Sequence, residues 1–281
     1  MSEPTAAQST PLEAASPFDL RVDLGNDVPE TDVRTALANG DMGFLHSFTT
    51  GSAVDGPGIR VVAWTTGCVW RCQYCHNPDT WTIRNGIPVA VTRAVEQLRK
   101  YQHGLKVMAG GLTVSGGEPL MQNRFVVKLL TAAKEMGVHT TIETNGYLGE
   151  RLSDEELESI DLVMLGLKAW DPELHKNLTG RENAPTHTFA RRLAKLKRPM
   201  WARFVLVPGL TDDPEDIAGI ARFAASLGNV ERVDVLPFHQ MGRFKWERLG
   251  IRYSLQDVQP PSIEATERAV GIFREQGLAA Y

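Results

Sequence analysis

The chain is nearly without cysteine. It has three in 281 residues, Cys68, Cys72 and Cys75, all inside one eight-residue stretch. An odd number cannot pair off completely, so a disulfide framework is excluded. Also missing is any apolar run approaching the ~18 residues a membrane span needs. No basic segment followed by an apolar run opens the sequence, so the expectation is a reducing, cytoplasmic setting without membrane attachment. Charge of one sign is scarce too. Net charge is −4, and beyond residue 40 the chain holds 27 acids and 28 bases. Such an even mixture sets aside no surface for nucleic acid. Only residues 1–40 are lopsided, with seven acids against two bases. They are rich in Ser, Thr, Pro and Ala and carry no periodicity. Residues 1–42 are therefore expected to be a mobile acidic tail, and 43–281 one domain.

What is there is concentrated in Gly67-Cys-Val-Trp-Arg-Cys-Gln-Tyr-Cys-His-Asn-Pro78. Three thiolates at C-x3-C-x2-C spacing can hold a soft metal centre but cannot complete a four-iron cluster, which normally takes four. A centre one ligand short keeps a position open for a substrate or cofactor, as catalytic zinc sites do. Two plainer readings compete. Cysteines can be small buried hydrophobes, and His76 could serve as fourth ligand of a structural zinc.

Short β-branched runs mark six strands, at 59–66, 112–115, 139–143, 162–167, 202–207 and 233–237. Helical patterns lie at 91–101 with Thr92 as cap, 122–136, from Ser153 with a capping-box pattern, 186–197, 213–227 and 261–276. Six β-α units predict an α/β fold with an all-parallel sheet and right-handed crossovers. Six is fewer than the eight of a closed barrel, so the expected architecture is an open, partial (βα)6 TIM-type barrel. Ligands gather at the C-terminal ends of such strands, and the cysteines directly follow the first.

Other conspicuous residues fall at the same ends. Ser115-Gly-Gly-Glu-Pro119 follows the second strand, and its glycines can let a backbone approach a ligand. The third strand ends in Glu143-Thr-Asn-Gly146, the fourth in Gly166-Leu-Lys168, and the sixth in Pro237-Phe-His239. Arg203, within the apolar fifth strand, is expected to meet a carboxylate. Spacing leaves open whether Asp55 and Arg60, in Asp55-Gly-Pro-Gly-Ile-Arg60, pair locally or face a partner chain.

With these motifs the sequence resembles the radical S-adenosylmethionine enzymes, and most closely the activating enzymes of pyruvate formate-lyase. The resemblance runs from about residue 43 to the end. It rests on the three-cysteine motif with Tyr74, His76 and Asn77, on His46-Ser-Phe48, and on Asp55-Gly-Pro-Gly-Ile-Arg60. Asp79-Thr-Trp81, Ser115-Gly-Gly-Glu118, Thr144-Asn-Gly146 and Leu167-Lys168 add to it, as do Arg203, Val207-Pro-Gly209, Leu236-Pro-Phe-His239 and Lys245-Trp246.

The resemblance implies that Cys68, Cys72 and Cys75 are the catalytic metal ligands, holding a [4Fe-4S] cluster whose fourth iron takes S-adenosylmethionine. Gly116, Gly117 and Glu118 would bind the methionine ammonium, and Tyr74 and His76 would flank the adenine. Gly166, Leu167, Lys168, Arg203 and His239 would complete the cofactor site, with Asp55 and Arg60 assigned to the partner. Reductive cleavage would yield a radical that takes hydrogen from a glycine of a glycyl-radical enzyme, pyruvate formate-lyase. A low-potential donor such as flavodoxin or ferredoxin would supply the electron to a monomeric activase. Another glycyl-radical enzyme, or a small-molecule substrate, is the alternative. Two departures stand out. Related activases usually carry Asp where this chain has Glu143 and Gly166, and those acids help bind a monovalent cation, so that cation is uncertain. About fifteen residues separate Cys75 from Thr92, too few for an inserted ferredoxin-like domain.

Overall fold

The computed structural model describes residues 33–281. The expected tail over residues 1–32 lies outside the described residues. Residues 33–42 do not continue it, because Val33–Asn39 forms a short helix, α1, and the first strand starts at Met42.

One sheet carries the fold. Its strands are β1 (Met42–Ser52), β2 (Arg60–Thr65), β3 (Ile87–Ala90), β4 (Gly111–Gly116), β5 (His139–Thr144), β6 (Leu162–Gly166), β7 (Met200–Leu206) and β8 (Val230–Pro237). The order is β3-β1-β2-β4-β5-β6-β7-β8, so the sheet ends at β3 and β8 without closing. The helices after α1 are α2 (Val91–Arg99), α3 (Gln102–Val107), α4 (Asn123–Glu135), α5 (Pro172–Thr179), α6 (Ala184–Lys195), α7 (Pro214–Leu227), α8 (Arg243–Arg248) and α9 (Ile263–Glu275). None is long and apolar enough to cross a membrane.

All six expected strands are present, and all six run parallel from β2 to β8. The expectation of an all-parallel sheet needs correction. β1 and β3 extend it antiparallel beyond β2. β1 was not visible in the pattern because its second half, His46-Ser-Phe-Thr-Thr-Gly-Ser52, is mostly polar, and β3 is four residues long with Pro88 inside. Helix starts differ in two places. α2 begins at Val91 with Ala90 before it and no side-chain cap, so Thr92 is not the cap; β3 runs straight into the helix. The Ser153 capping box forms, with Ser153 N–H donating to Glu156 Oε2 at 2.8 Å and Glu156 N–H to Ser153 Oγ at 3.1 Å. It opens only the 3-10 turn Glu156–Ser159, because the chain must enter β6 three residues later. Asp213 and Ser262 do cap α7 and α9.

The outward faces of the parallel strands and the apolar stripes of α4, α6, α7 and α9 form the core, with Phe125, Leu129, Leu193, Ile220 and Phe273 among its buried members. The inward face is polar at its base. Arg60 opens β2 with 0% of its surface exposed. Its Nε donates to Thr113 Oγ1 at 3.0 Å, and its Nη2 to the Leu112 carbonyl at 2.6 Å and Thr141 Oγ1 at 2.9 Å. Nη1 donates to the Pro57 carbonyl at 3.2 Å. Arg60 therefore does not face a partner, a correction to its assignment. A guanidinium is the one side chain with enough donors to satisfy so many acceptors on neighbouring strands at once.

Candidate active site

The cysteine loop follows β2 through Gly67, whose φ of 96° lies in the region that favours glycine. Gly67 N–H donates to the Thr80 carbonyl at 2.7 Å and Cys68 N–H to the Trp81 carbonyl at 3.1 Å, closing the loop on itself. Its outer side is tied to α5, with Arg71 N–H on the Thr179 carbonyl at 2.8 Å and Gln73 N–H on the Leu178 carbonyl at 3.0 Å. From the far end of the chain, Lys245 Nζ reaches Asn77 Oδ1 at 2.7 Å, and Trp246 Nε1 the Cys75 carbonyl at 2.9 Å. Lys245 and His46 both pair with Asp79. So His46, Asp79, Lys245 and Trp246, quoted from sequence as loose motifs, form one clamp.

The three thiols line a single cavity of about 530 Å³ at the C-terminal ends of the strands. Tyr74, His76, Gly116, Gly117, Gly166, Lys168, Arg203, His239 and Asp55 line it too. His76 and His239 meet with ring centroids 3.9 Å apart and planes inclined by 53°, from opposite ends of the barrel wall. Lys168 Nζ lies 5.7 Å over the Tyr74 ring and folds across Gly166, where an added Cβ would come within 2.9 Å of Nζ. The lysine occupies the space an acid at 166 would claim. Gly116 and Gly117 are glycine for a reason beyond ligand access. A Cβ on Gly117 would come within 2.5 Å of the Gly67 carbonyl, and one on Gly116 would strike Thr65. Their bareness lets β4 lie close under the cysteine loop.

Three of the expected residues stand outside the cavity: Arg60, Leu167 and Glu118. Leu167 is buried in the core, its N–H on the Arg203 carbonyl at 3.0 Å. Glu118 is wholly buried. Its Oε1 accepts from Thr144 Oγ1 at 2.6 Å and Leu120 N–H at 3.0 Å, and its Oε2 from Asn145 N–H at 2.8 Å. Burial pushes its carboxyl up, against the pull of those donors. Glu118 thus ties the turn after β4 to the end of β5 and holds the rim from beneath. Glu118→Ala strands three donors and is expected to cost about 2–4 kcal/mol of stability, read as a lower denaturation midpoint. A residue that only gripped the cofactor's ammonium would instead lose affinity with its midpoint unchanged.

The interior charge centres on Arg203, which meets a carboxylate as expected. Its Nη1 donates to Glu143 Oε1 at 2.5 Å, and Asp55 and Asp234 each stand at 3.8 Å. Burial would raise Glu143, but Arg203, the Ser115 hydroxyl and Lys168 together hold it below the usual carboxylate range. An ionised carboxylate therefore stays in the wall at neutral pH, suited to a cationic ligand. Glu143, Ser115, Thr144 and the tryptophans Trp64, Trp70 and Trp81 also line the cavity. Sequence reasoning did not assign them, although all but Trp64 stand in motifs it quoted.

Burial pushes all three thiols up, Cys72 to about 12 despite the Lys168 ammonium. Thiols that neutral at pH 7 are poor nucleophiles but become thiolates on binding a metal, with release of protons. Two buried polar groups of the wall, the Tyr74 hydroxyl and the Trp70 indole N–H, have no protein partner. Three soft donors on one wall, with no fourth in the chain, fit an iron–sulfur cluster with an open iron better than a structural zinc.

The model of the radical SAM superfamily matches residues 62–224, and the chain belongs to that superfamily. It is 41% identical over 238 residues to the pyruvate formate-lyase 1-activating enzyme of Escherichia coli K12, spanning 84% of this chain and 97% of the relative. To the pyruvate formate-lyase-activating enzyme of Staphylococcus epidermidis it is 44% identical over 234 residues, 81% of this chain and 93% of the relative. Within the superfamily, it falls among the pyruvate formate-lyase activating enzymes. A solved domain of such an enzyme from Bacteroides vulgatus superposes with a TM-score of 0.50 at 26% identity, covering 61% of this chain and 98% of that one. Streptococcus suis SuiB bound to its precursor peptide superposes at 0.60 and 18% identity, over 81% of this chain and 49% of that one, a likeness of fold.

Proposed function

We propose that this protein activates pyruvate formate-lyase by placing a radical on one of its glycines. The observation that carries the reading is the set of three thiols, and only three, on the wall of a cavity that glycine backbone, aromatic rings and Glu143 with Lys168 and Arg203 also line. When bound, the cluster supplies the electron that splits the sulfonium of S-adenosylmethionine, and the radical so released takes a hydrogen atom from the glycine α-carbon. The protein's own part is to bind, orient and exclude. Cys68, Cys72 and Cys75 would hold the cluster. Gly116 and Gly117 offer backbone to the methionine end, and Glu143 offers negative charge to a cationic cofactor. Tyr74, His76 and His239 provide flat surfaces for a base, with Trp64 and Trp70 keeping water from the reacting atoms. Electron spin resonance after incubating the reduced, reconstituted protein with S-adenosylmethionine and pyruvate formate-lyase should show a glycyl radical. An intact cluster that forms 5′-deoxyadenosine yet leaves no such signal would defeat the assignment of substrate.

The finer parts of the reading are a flavodoxin or ferredoxin as donor, a cytoplasmic monomer, and Lys168 in place of a monovalent cation. With glycine at 166, the ammonium lies where an acid would gather a metal ion. Gly166→Asp displaces only the flexible end of Lys168. That variant is expected to make cofactor cleavage respond to added potassium or sodium severalfold. A cation response identical to the parent's would remove position 166 from such a site.

A further inference from the structure

The target of the reaction is a glycine within a polypeptide, and glycine offers no side chain to grip. Its α-carbon can be brought to a fixed point only by holding its backbone. An unpaired sheet edge does this, because its peptide groups bond an incoming strand in register.

The sheet has such an edge beside the cavity. β3 pairs with β1 only over Met42–Leu45, leaving the outer side of 46–52 without a neighbouring strand among the described residues. The direction of the peptide groups there follows from β2. Gly111 N–H bonds the Ile59 carbonyl at 3.1 Å and Gly117 N–H the Thr65 carbonyl at 2.9 Å, so odd residues of β2 serve β4 and even ones turn to β1. Ser47 pairs with Trp64 and Thr49 with Val62. Phe48 and Thr50 therefore direct N–H and C=O outward. Natural sheets blunt exposed edges with proline, lysine or cover. β3 carries Pro88, and β8 is covered by residues 279–281, with Val233 N–H on the Ala279 carbonyl at 2.9 Å. Residues 46–52 contain no proline and no lysine. The edge is continuous with the cavity, since Trp64, whose indole donates to Thr49 Oγ1 at 2.9 Å, lines the cavity, as do Val54 and Asp55 just past the end of β1.

We infer that the outer edge of β1, through the peptide groups of Phe48 and Thr50, receives the glycine-bearing segment of pyruvate formate-lyase as an added strand. The inference rests on the function proposed above and names the surface by which that substrate is registered.

Thr50→Pro tests it, because proline removes one outward N–H and leaves the bonds of Ser47 and Thr49 to β2 in place. In the holoenzyme with S-adenosylmethionine, the concentration of pyruvate formate-lyase giving half-maximal radical formation should rise more than tenfold. Thr50→Val, which keeps the N–H, should restore it. In parallel, hydrogen exchange at Phe48 and Thr50 in the unaltered holoenzyme should slow at least tenfold when intact pyruvate formate-lyase is added. That readout stands even where the proline variant fails to fold. Unchanged exchange at both amides, in a protein that does activate pyruvate formate-lyase, overturns the edge and spares the function. A parent protein that never produces the glycyl radical overturns the function, and the edge with it.

Discussion

Cys72→Ala is expected to abolish both cluster and cofactor cleavage, a loss of more than a thousandfold in 5′-deoxyadenosine formed after reduction. Cys72 lies in the cavity wall with Cys68 and Cys75, and the chain has no other cysteine to take its place. Two thiolates and an open iron do not hold four irons against loss to solvent. Burial raises this thiol to about 12, with Lys168 pulling the other way, so near neutral pH it has almost no nucleophilic form of its own. As a ligand it would be deprotonated by the driving force of the metal. Iron and sulfide analysis of the variant, alongside product formation, checks both halves of the claim. Undiminished product, or a full complement of iron, would remove Cys72 from the ligand set.

Arg60→Leu is expected to destabilise the fold by about 3–5 kcal/mol, the cost of leaving several buried polar groups unpaired. For a domain of this size that is a fall of roughly 10 °C in the unfolding midpoint. The side chain is fully buried, and the groups it would abandon include the Thr113 and Thr141 hydroxyls and the Leu112 and Pro57 carbonyls. Leucine fills part of the volume and satisfies none of them. Thermal or denaturant unfolding of the cluster-free chain measures the effect. A partner contact would behave in the opposite way, with an unaltered midpoint and a weaker response to pyruvate formate-lyase alone.

The parallel part of the sheet was legible because each strand is a short apolar or β-branched run set between helical patterns, as in Leu162–Gly166, all buried. The antiparallel extension was not, because the second half of β1 is mostly polar without alternation and β3 is only four residues long. Within the site, position along a strand told most. Cys68, Gly116, Lys168 and His239 were placed at strand ends by spacing and meet in the cavity. What spacing could not supply was direction. Arg60 and Arg203 both stand in inward-facing positions, yet one bonds neutral groups at the closed base and the other lies among carboxylates near the mouth. Glu118 shows the same limit. Its neighbours in sequence are two glycines that line the cavity, while its own carboxylate turns down to meet Thr144 and Asn145.

The clamp on the cysteine loop has a bearing on how the protein is made. Asn77 leaves the ribosome 168 residues before Lys245, and Cys75 171 residues before Trp246. Over that span of 168 residues the thiols are thus complete while the bonds that fasten their loop do not exist. Delivery of iron and sulfide meets an unfastened loop if it comes early and a braced one if it comes late. Full-length chains with Lys245 and Trp246 both replaced should accept a cluster as readily as the parent, but release it sooner.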